Sequence, residues 1–395
     1  CDTVACHPAI ALDIDPQQIY NYLYFHMVPG PATAYRDVRR IPPAHCVEIE
    51  HGKTTLHRYW RMPFDERGSA PFADLRARFR GALDVAVATY DRPGATGTFL
   101  SGGTDSSTVA GLLARQEQRA IPAFSIGFDA SGYDEMEYAR IAAGHFGLTH
   151  HAYYVTPADV VAAVPRIAEA YDQPFGNASA VPTYFCATLA RQHGVSLLLA
   201  GDGGDELFGG YESFFTVAQW GRIDRIPQLA RRLLGRIAQW LPYSAYCKNY
   251  LRMISRPSAL ERYFEFNYAP YFMRARLLAP DWMLPADAGY LDRALANCLL
   301  PSGADTLSQA MYFEGTANLT GDMLVKVDRM SMANSLEVRC PLLDHELAEM
   351  AAGVPHAWKI AGGKGKRILI EALGDRLPAE VLARGKMGFG VPLAA

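Results

Sequence analysis

"FLSGGTDSSTVAGLLA", residues 99–114, decides how this chain is read: a short apolar stretch runs into two glycines, hydroxyl and acidic side chains, and then a periodic apolar run. Gly102 and Gly103 can take positive φ and let backbone N–H groups approach an anion. Ser101, Thr104, Ser106 and Ser107 add hydroxyl donors, and the helix that follows directs the positive end of its dipole to the same place. A phosphate or pyrophosphate is the natural guest. A capped strand-to-helix turn with no ligand would use the same residue types, since Ser and Asp cap helices anywhere. The loop matches neither GxxxxGK(S/T) nor GxGxxG, and "GGKGKR" at 362–367 lacks the spacing and the terminal hydroxyl of the former. Asp105 within the loop would repel a phosphate unless a cation sat between them, so the sequence implies Mg2+.

Around this loop, strand-like and helix-like segments alternate from 96 to 201: "TGTFL", residues 106–118, "AFSIGF", "DEMEYARIAAGHFG", "HHAYYV", two further helical stretches and "VSLLLAG". Such alternation predicts βαβ units, hence an α/β fold with a parallel sheet covered by helices. Beyond residue 205 the pattern is helical. A second acidic, glycine-rich turn, "GDGGDELFGGY" at 201–211, follows the strand "SLLLA". A carboxylate from this turn could complete a Mg2+ shell with Asp105, which would put two strand ends over one pocket. His150 and His151 are neighbours on a strand, point to opposite faces and cannot chelate together.

Residues 1–62 read as a different, β-rich unit: "HCVEIEHGKTTLHRYW" predicts a hairpin turning at His51-Gly52-Lys53, preceded by the turn-rich "VPGPATAYRDVRRIPP". Residues 63–74 read as a linker that includes "PFDERGSAP", and a helix is expected over "FADLRARFRGALDVAVATY". The 395 residues carry 38 basic and 41 acidic side chains, which gives no global field for nucleic acid or an anionic membrane. "RRLLGRIAQW" at 231–240 is a small basic amphipathic stretch, expected to be an ordinary solvated helix face with no partner. The seven cysteines are scattered and never spaced CxxC, so neither a disulfide framework nor a zinc site is expected, and a reducing cytoplasm fits. No signal peptide or membrane span is expected.

"SGGTDSS", "AFSIGF", "YDEMEYARIAAGHFGLTHH", "GDGGDELFGGY", "VKVDRMSMANSLEVRCPLLD" and "KMGFGVP" resemble, in order and spacing, the synthetase domain of glutamine-hydrolysing, AsnB-type asparagine synthetases. The similarity covers nearly all of residues 75–395, which the resemblance makes one ATP-dependent domain of PP-loop type with a helical C-terminal half, cut short at its C-terminus. "YNYLYFHMVPGPATAYRDVRRIPPAH" is similar to the stretch joining that family's glutaminase domain to its synthetase domain, making 1–62 the remnant of a glutaminase domain.

The resemblance implies that Ser101, Gly102, Gly103, Asp105, Ser106 and Ser107 bind the phosphates of ATP. It implies that Leu100, Ile126, Ala200 and Gly201 line the adenosine pocket, and that Asp105 and Asp205 are the Mg2+ ligands. Asp202 matches an acidic position tied to the acyl-adenylate, one that is Glu in some members. Lys386, in "RGKMGFG", matches a lysine that stabilises charge as pyrophosphate leaves, and Lys326 and Arg339 lie in the block bordering the substrate site. The implied reaction adenylates a carboxylate, most simply the aspartate side chain, and lets ammonia displace AMP. An alternative keeps the adenylation but uses another carboxylate or amine, as in a biosynthetic-cluster amidotransferase. Small molecules (aspartate or another acid, ammonia or glutamine) are the expected partners, with no nucleic acid or membrane; a homodimer is left open. Where relatives begin with a catalytic Cys-Gly, Cys1 is followed by Asp2, so Cys1 is expected to have no such role.

Overall fold

The computed structural model describes residues 4, 6–64, 71–130, 132–242, 246–268, 277–279, 298, 300, 304–385, 388 and 390–392. They fall into two compact units: residues 1–61, 172–176 and 211–322 form the first, and residues 62–171, 177–210 and 323–395 the second. The N-terminal part of the first unit ends at residue 61, beside the expected linker at 63–74. Residues 211–322, part of the 75–395 stretch that the resemblance makes one domain, group by their contacts with the N-terminal segment.

Aromatic packing explains that grouping. In the first unit the helix Pro16–Phe25 starts at Asp15, whose carboxylate accepts from the Gln17 N–H, with Pro16 at the first helical position. It delivers Phe25 to the rings of Phe264 and Phe313, each at 6.2 Å between centroids, while those two meet edge-on at 4.7 Å. Phe25, Phe264 and Phe313 are all fully buried, and rings of this size contribute roughly 1.5–3 kcal/mol each by burial. The N-terminal segment is therefore not purely β-rich. Its hairpin is as expected: β1 (His45–Glu50) pairs antiparallel with β2 (Lys53–Arg58), and Glu50 faces Lys53. His51 and Gly52 both have positive φ, the backbone that a two-residue turn between twisted strands requires.

The same unit buries a carboxyl group. The helix Thr306–Phe313 continues into a π-helical stretch beginning at Glu314, a geometry that is rare over more than one turn. Glu314 is 3 % exposed; it accepts from the Tyr263 hydroxyl, the Tyr268 hydroxyl at 2.9 Å and the Asn318 amide at 2.6 Å. Burial nevertheless pushes its pKa above the ordinary 4.5, outweighing the three donors. A carboxyl whose folded value is raised stabilises the fold most below its unfolded pKa, and that contribution is lost as pH rises through the folded value. Melting temperature should therefore fall as pH climbs above about 4.5, and Glu314→Gln should flatten the slope, as read by thermal denaturation across pH.

The second unit is an α/β layer. Strands β3 (Thr96–Phe99), β4 (Pro122–Gly127), β5 (Thr149–Tyr154), β6 (Leu197–Leu199) and β7 (Glu337–Arg339) form one sheet in the order β5-β4-β3-β6-β7, all parallel. The expected strands and helices between 96 and 201 occur within a few residues of their expected bounds, and the helix over "FADLRARFRGALDVAVATY" is Phe72–Tyr90. Strand β7, only three residues long, carries no alternation to reveal it and lies in a stretch that reads as helical. One face of the sheet is closed by Phe124, Ala187, Leu198 and Leu336, the other by Leu100, Ala110, Ala123 and Ala142. The alanines let helices approach the strands closely.

Strand order fixes where a ligand can sit. From β3 the chain proceeds outward to β4 and β5, then returns to place β6 on the other side of β3. The crevice beyond the carboxyl ends of β3 and β6 is thus a topological switch point, where open parallel sheets bind ligands. No helix among the described residues is long and apolar enough to cross a membrane. The six described cysteines carry free thiols.

Candidate active site

Both acidic glycine turns leave the sheet at this switch point. β3 leads through Leu100–Gly103 into the helix Thr104–Glu117, and β6 leads through Ala200–Gly203 into the short helix Gly204–Phe208. The first loop is internally tied. Ser106 Oγ accepts from the Ser101 N–H at 3.2 Å and lies 3.0 Å from Ser101 Oγ, which in turn accepts from the Gly103 N–H at 3.2 Å. Gly102 has φ +72°, and a Cβ there would fall 2.5 Å from the Ala139 nitrogen, so no other residue fits. Ser107 is fully buried, and its hydroxyl has no hydrogen-bond partner among the described residues.

The second loop packs against the first through missing side chains. A Cβ on Gly204 would lie 2.4 Å from Asp105 Cγ, so glycine is what lets the two turns meet. The Leu100 N–H donates to the Phe124 carbonyl at 2.9 Å, and the Leu100 carbonyl accepts from Ser125 Oγ. Leu100, Ile126 and Ala200 are buried, and Ile126 lies on β4.

At the centre stands a residue that the sequence pattern did not single out. Lys366 Nζ lies 2.5 Å from Asp105 Oδ2 and 2.7 Å from Asp205 Oδ1. The three side chains are only 14 %, 15 % and 24 % exposed. Burial opposes the charge on Lys366, but Asp105 and Asp205 outweigh it and hold the ammonium above its ordinary pKa. Its backbone is left-handed, φ +58°, a conformation that costs a non-glycine residue roughly 1 kcal/mol or more. Its N–H donates to the Phe208 carbonyl at 3.0 Å, which anchors it to the second loop.

The expectation that Asp105 and Asp205 converge therefore agrees with the geometry, and the charge between them is an ammonium. Two carboxylates around one Nζ position are also a hard oxygen donor set of the kind that suits Mg2+ when phosphate oxygens and water fill the remaining positions. Among the described residues no group of three or more His, Cys, Asp or Glu could hold a metal by itself.

Beside this cluster, Lys326 Nζ is 3.8 Å from Asp202 Oδ1, with Lys326 buried and Asp202 partly open. The Cys340 thiol is driven up by burial, with Asp202 adding to the shift. Arg339 is not brought to either pair: its guanidinium bonds Glu337 at 2.7 Å and the Tyr90 carbonyl at 3.0 Å. Lys386 lies outside the described residues. His150 contacts Ser125 Oγ at 2.7 Å whereas His151 stacks on Phe124 and lies tilted against His193, as opposite faces of a strand require.

Residues 78–395 match the family model described as asparagine synthase, and residues 1–60 match that of a glutamine amidotransferase domain. A putative glutamine-hydrolysing asparagine synthetase of Mycobacterium tuberculosis is 33 % identical over 96 % of this chain and 58 % of its own length. A glutamine-hydrolysing asparagine synthetase of Bacillus subtilis is 29 % identical over 97 % of this chain and 60 % of its own. An amidase of Gibberella zeae is 23 % identical over 91 % of this chain and 59 % of its own. The chain spans less than two thirds of the length of these relatives.

Proposed function

This chain belongs to the asparagine synthase family, and from that premise we propose that it is an ATP-dependent amide ligase, activating a carboxylate by adenylation and passing it to ammonia. The observation that carries the proposal is the Asp105–Lys366–Asp205 cluster at the switch point of the sheet. There the phosphates of ATP rest on the loop Ser101–Ser107, with the N–H groups at the start of the helix Thr104–Glu117 and the serine hydroxyls as donors. Asp105 and Asp205 would hold Mg2+, which supplies Lewis-acid stabilisation of the charge that grows on pyrophosphate. Lys366, within reach of both carboxylates, offers a cation for the same phosphates, a second positive charge where negative charge develops. Lys386 is assigned a similar part at the leaving group from its matching motif alone. Leu100, Ile126, Ala200 and Gly201 give the adenosine its apolar and backbone surface.

Asp202 and Lys326 face the carboxylate substrate: Lys326 as its cationic partner, Asp202 as the acceptor of protons from the attacking amine. The chemistry requires no protein nucleophile. Aspartate is the first choice of acid and glutamine the source of ammonia, consistent with the amidotransferase match over residues 1–60.

A second reading keeps the cluster and changes the acid. It is favoured by the likeness to the Gibberella zeae amidase. Incubation with ATP, Mg2+, ammonium and aspartate, followed by mass spectrometry, is expected to yield AMP and asparagine in equal amounts. AMP with other carboxylates but not aspartate would support the second reading; no AMP and no pyrophosphate exchange with any acid would sink both.

A further inference from the structure

The helix Gln228–Trp240 turns the wrong side to solvent. Its packed side carries Arg231, Gly235 and Ala238, spaced i, i+4, i+7 along one face. Arg231 is 6 % exposed, and its guanidinium donates to the Ile226 carbonyl at 3.2 Å and the Arg256 carbonyl at 3.1 Å. Gly235 sits so close to the neighbouring helix Tyr246–Ser255 that a Cβ would fall 2.5 Å from that of Ser255. Leu234 is half-buried beside them, and the other large apolar residues lie elsewhere. Leu229 is 81 % exposed, Leu233 58 %, Ile237 47 % and Trp240 89 %, and their i, i+4, i+8, i+11 spacing makes them one continuous stripe. The helix face is solvated, as the sequence leads one to expect, but it carries this apolar stripe as well as charge.

Arg232 and Arg236 border this stripe, both exposed and without an ion-pair partner among the described residues. Arg225 is exposed just before the helix, and residues 225–240 contain no Asp or Glu. An apolar stripe with a terminal tryptophan, bordered by arginines and free of acids, has the composition of a helix that lies in a bilayer interface. We propose that the helix Gln228–Trp240 docks this chain on an anionic phospholipid surface, with Leu229, Leu233, Ile237 and Trp240 in the acyl boundary and Arg232 and Arg236 at the headgroups. Charge decides against a second copy of the chain as the occupant. A two-fold pairing would face each stripe with its own image and crowd like-charged arginines along the seam. With a net charge of −3 over the whole chain, attraction to the surface is a local property of this helix.

Co-sedimentation of the full chain with vesicles tests the assignment. Binding is expected to vesicles of phosphatidylcholine with phosphatidylglycerol, to be weaker on phosphatidylcholine alone, and to weaken with salt. The double variant Leu229→Ser/Leu233→Ser should reduce the vesicle partition coefficient by at least about tenfold. Arg232→Gln/Arg236→Gln should reduce it by about tenfold and remove most of the salt dependence. All four side chains are exposed, so each variant should retain the far-ultraviolet circular dichroism of the parent. A parent chain that stays in the supernatant, or vesicle binding that neither variant alters, overturns the proposal. So does light scattering that finds a dimer which the leucine variant dissociates.

Discussion

Lys366→Met is expected to slow AMP formation by about 10²–10³-fold and also to destabilise the metal-free protein by about 3 kcal/mol. The two effects share one cause. In the native protein Asp105 and Asp205 both lie within 2.7 Å of a single ammonium. Without it, two largely buried carboxylates face each other, and their repulsion favours the uptake of a proton by one of them. The variant's stability should therefore rise as pH falls below neutrality, because repulsion lifts the carboxyl values in the folded state and protonation relieves it. Added Mg2+ should restore much of the lost stability, since it replaces the missing charge. Urea denaturation with and without Mg2+, in parallel with a pyrophosphate-release assay, measures both. A variant as stable as the parent in chelator would show that Lys366 does not neutralise the pair.

Asp105→Asn should separate the same two properties. One negative charge remains, Asp205 keeps its contact with Lys366, and the metal-free protein should hold its stability to within about 1 kcal/mol, as for an ordinary polar exchange. Nucleotide handling should suffer far more. The amide is a weaker Mg2+ ligand and leaves Lys366 paired to Asp205, so pyrophosphate exchange should drop by about 10²–10³-fold, the scale of a lost electrostatic stabiliser. Titration calorimetry of ATP with Mg2+ reads the binding side of the loss. Together the variants give opposite patterns: one loses stability and rate, the other rate alone.

How much of this was legible in the sequence depended on whether the signal was local. Asp105 inside a hydroxyl-rich glycine turn states its own electrostatic problem, and "GDGGDE" after a strand states the same one again, so their convergence could be argued from charge alone. Elements from 96 to 201 were readable because each hydrophobic period ends in a turn signal. Strand β7 was not, since three residues carry no period and Glu337–Arg339 becomes a strand only through β6 beside it. The helix Pro16–Phe25 had an Asp-Pro start that marks a helix N-terminus, masked by the turn-rich segment that follows. Lys366 lies in "GGKGKR", which fails the nucleotide-loop pattern. What gives that lysine its place is a left-handed backbone held by Phe208, a tertiary fact with no local mark. Arg339 shows the converse: a suggestive motif position whose side chain is taken up by Glu337 and a carbonyl.

The contact between Lys366 and Asp105 joins positions 261 residues apart. Pairings of such separation form late, because closing the intervening loop must be paid for before the contact rewards it. A nascent chain that has emerged only as far as Asp205 owns both acids but not yet Lys366. The nucleotide pocket should thus be among the last parts of the molecule to mature during synthesis, and capture of ATP by a refolding sample would time the end of assembly rather than its beginning.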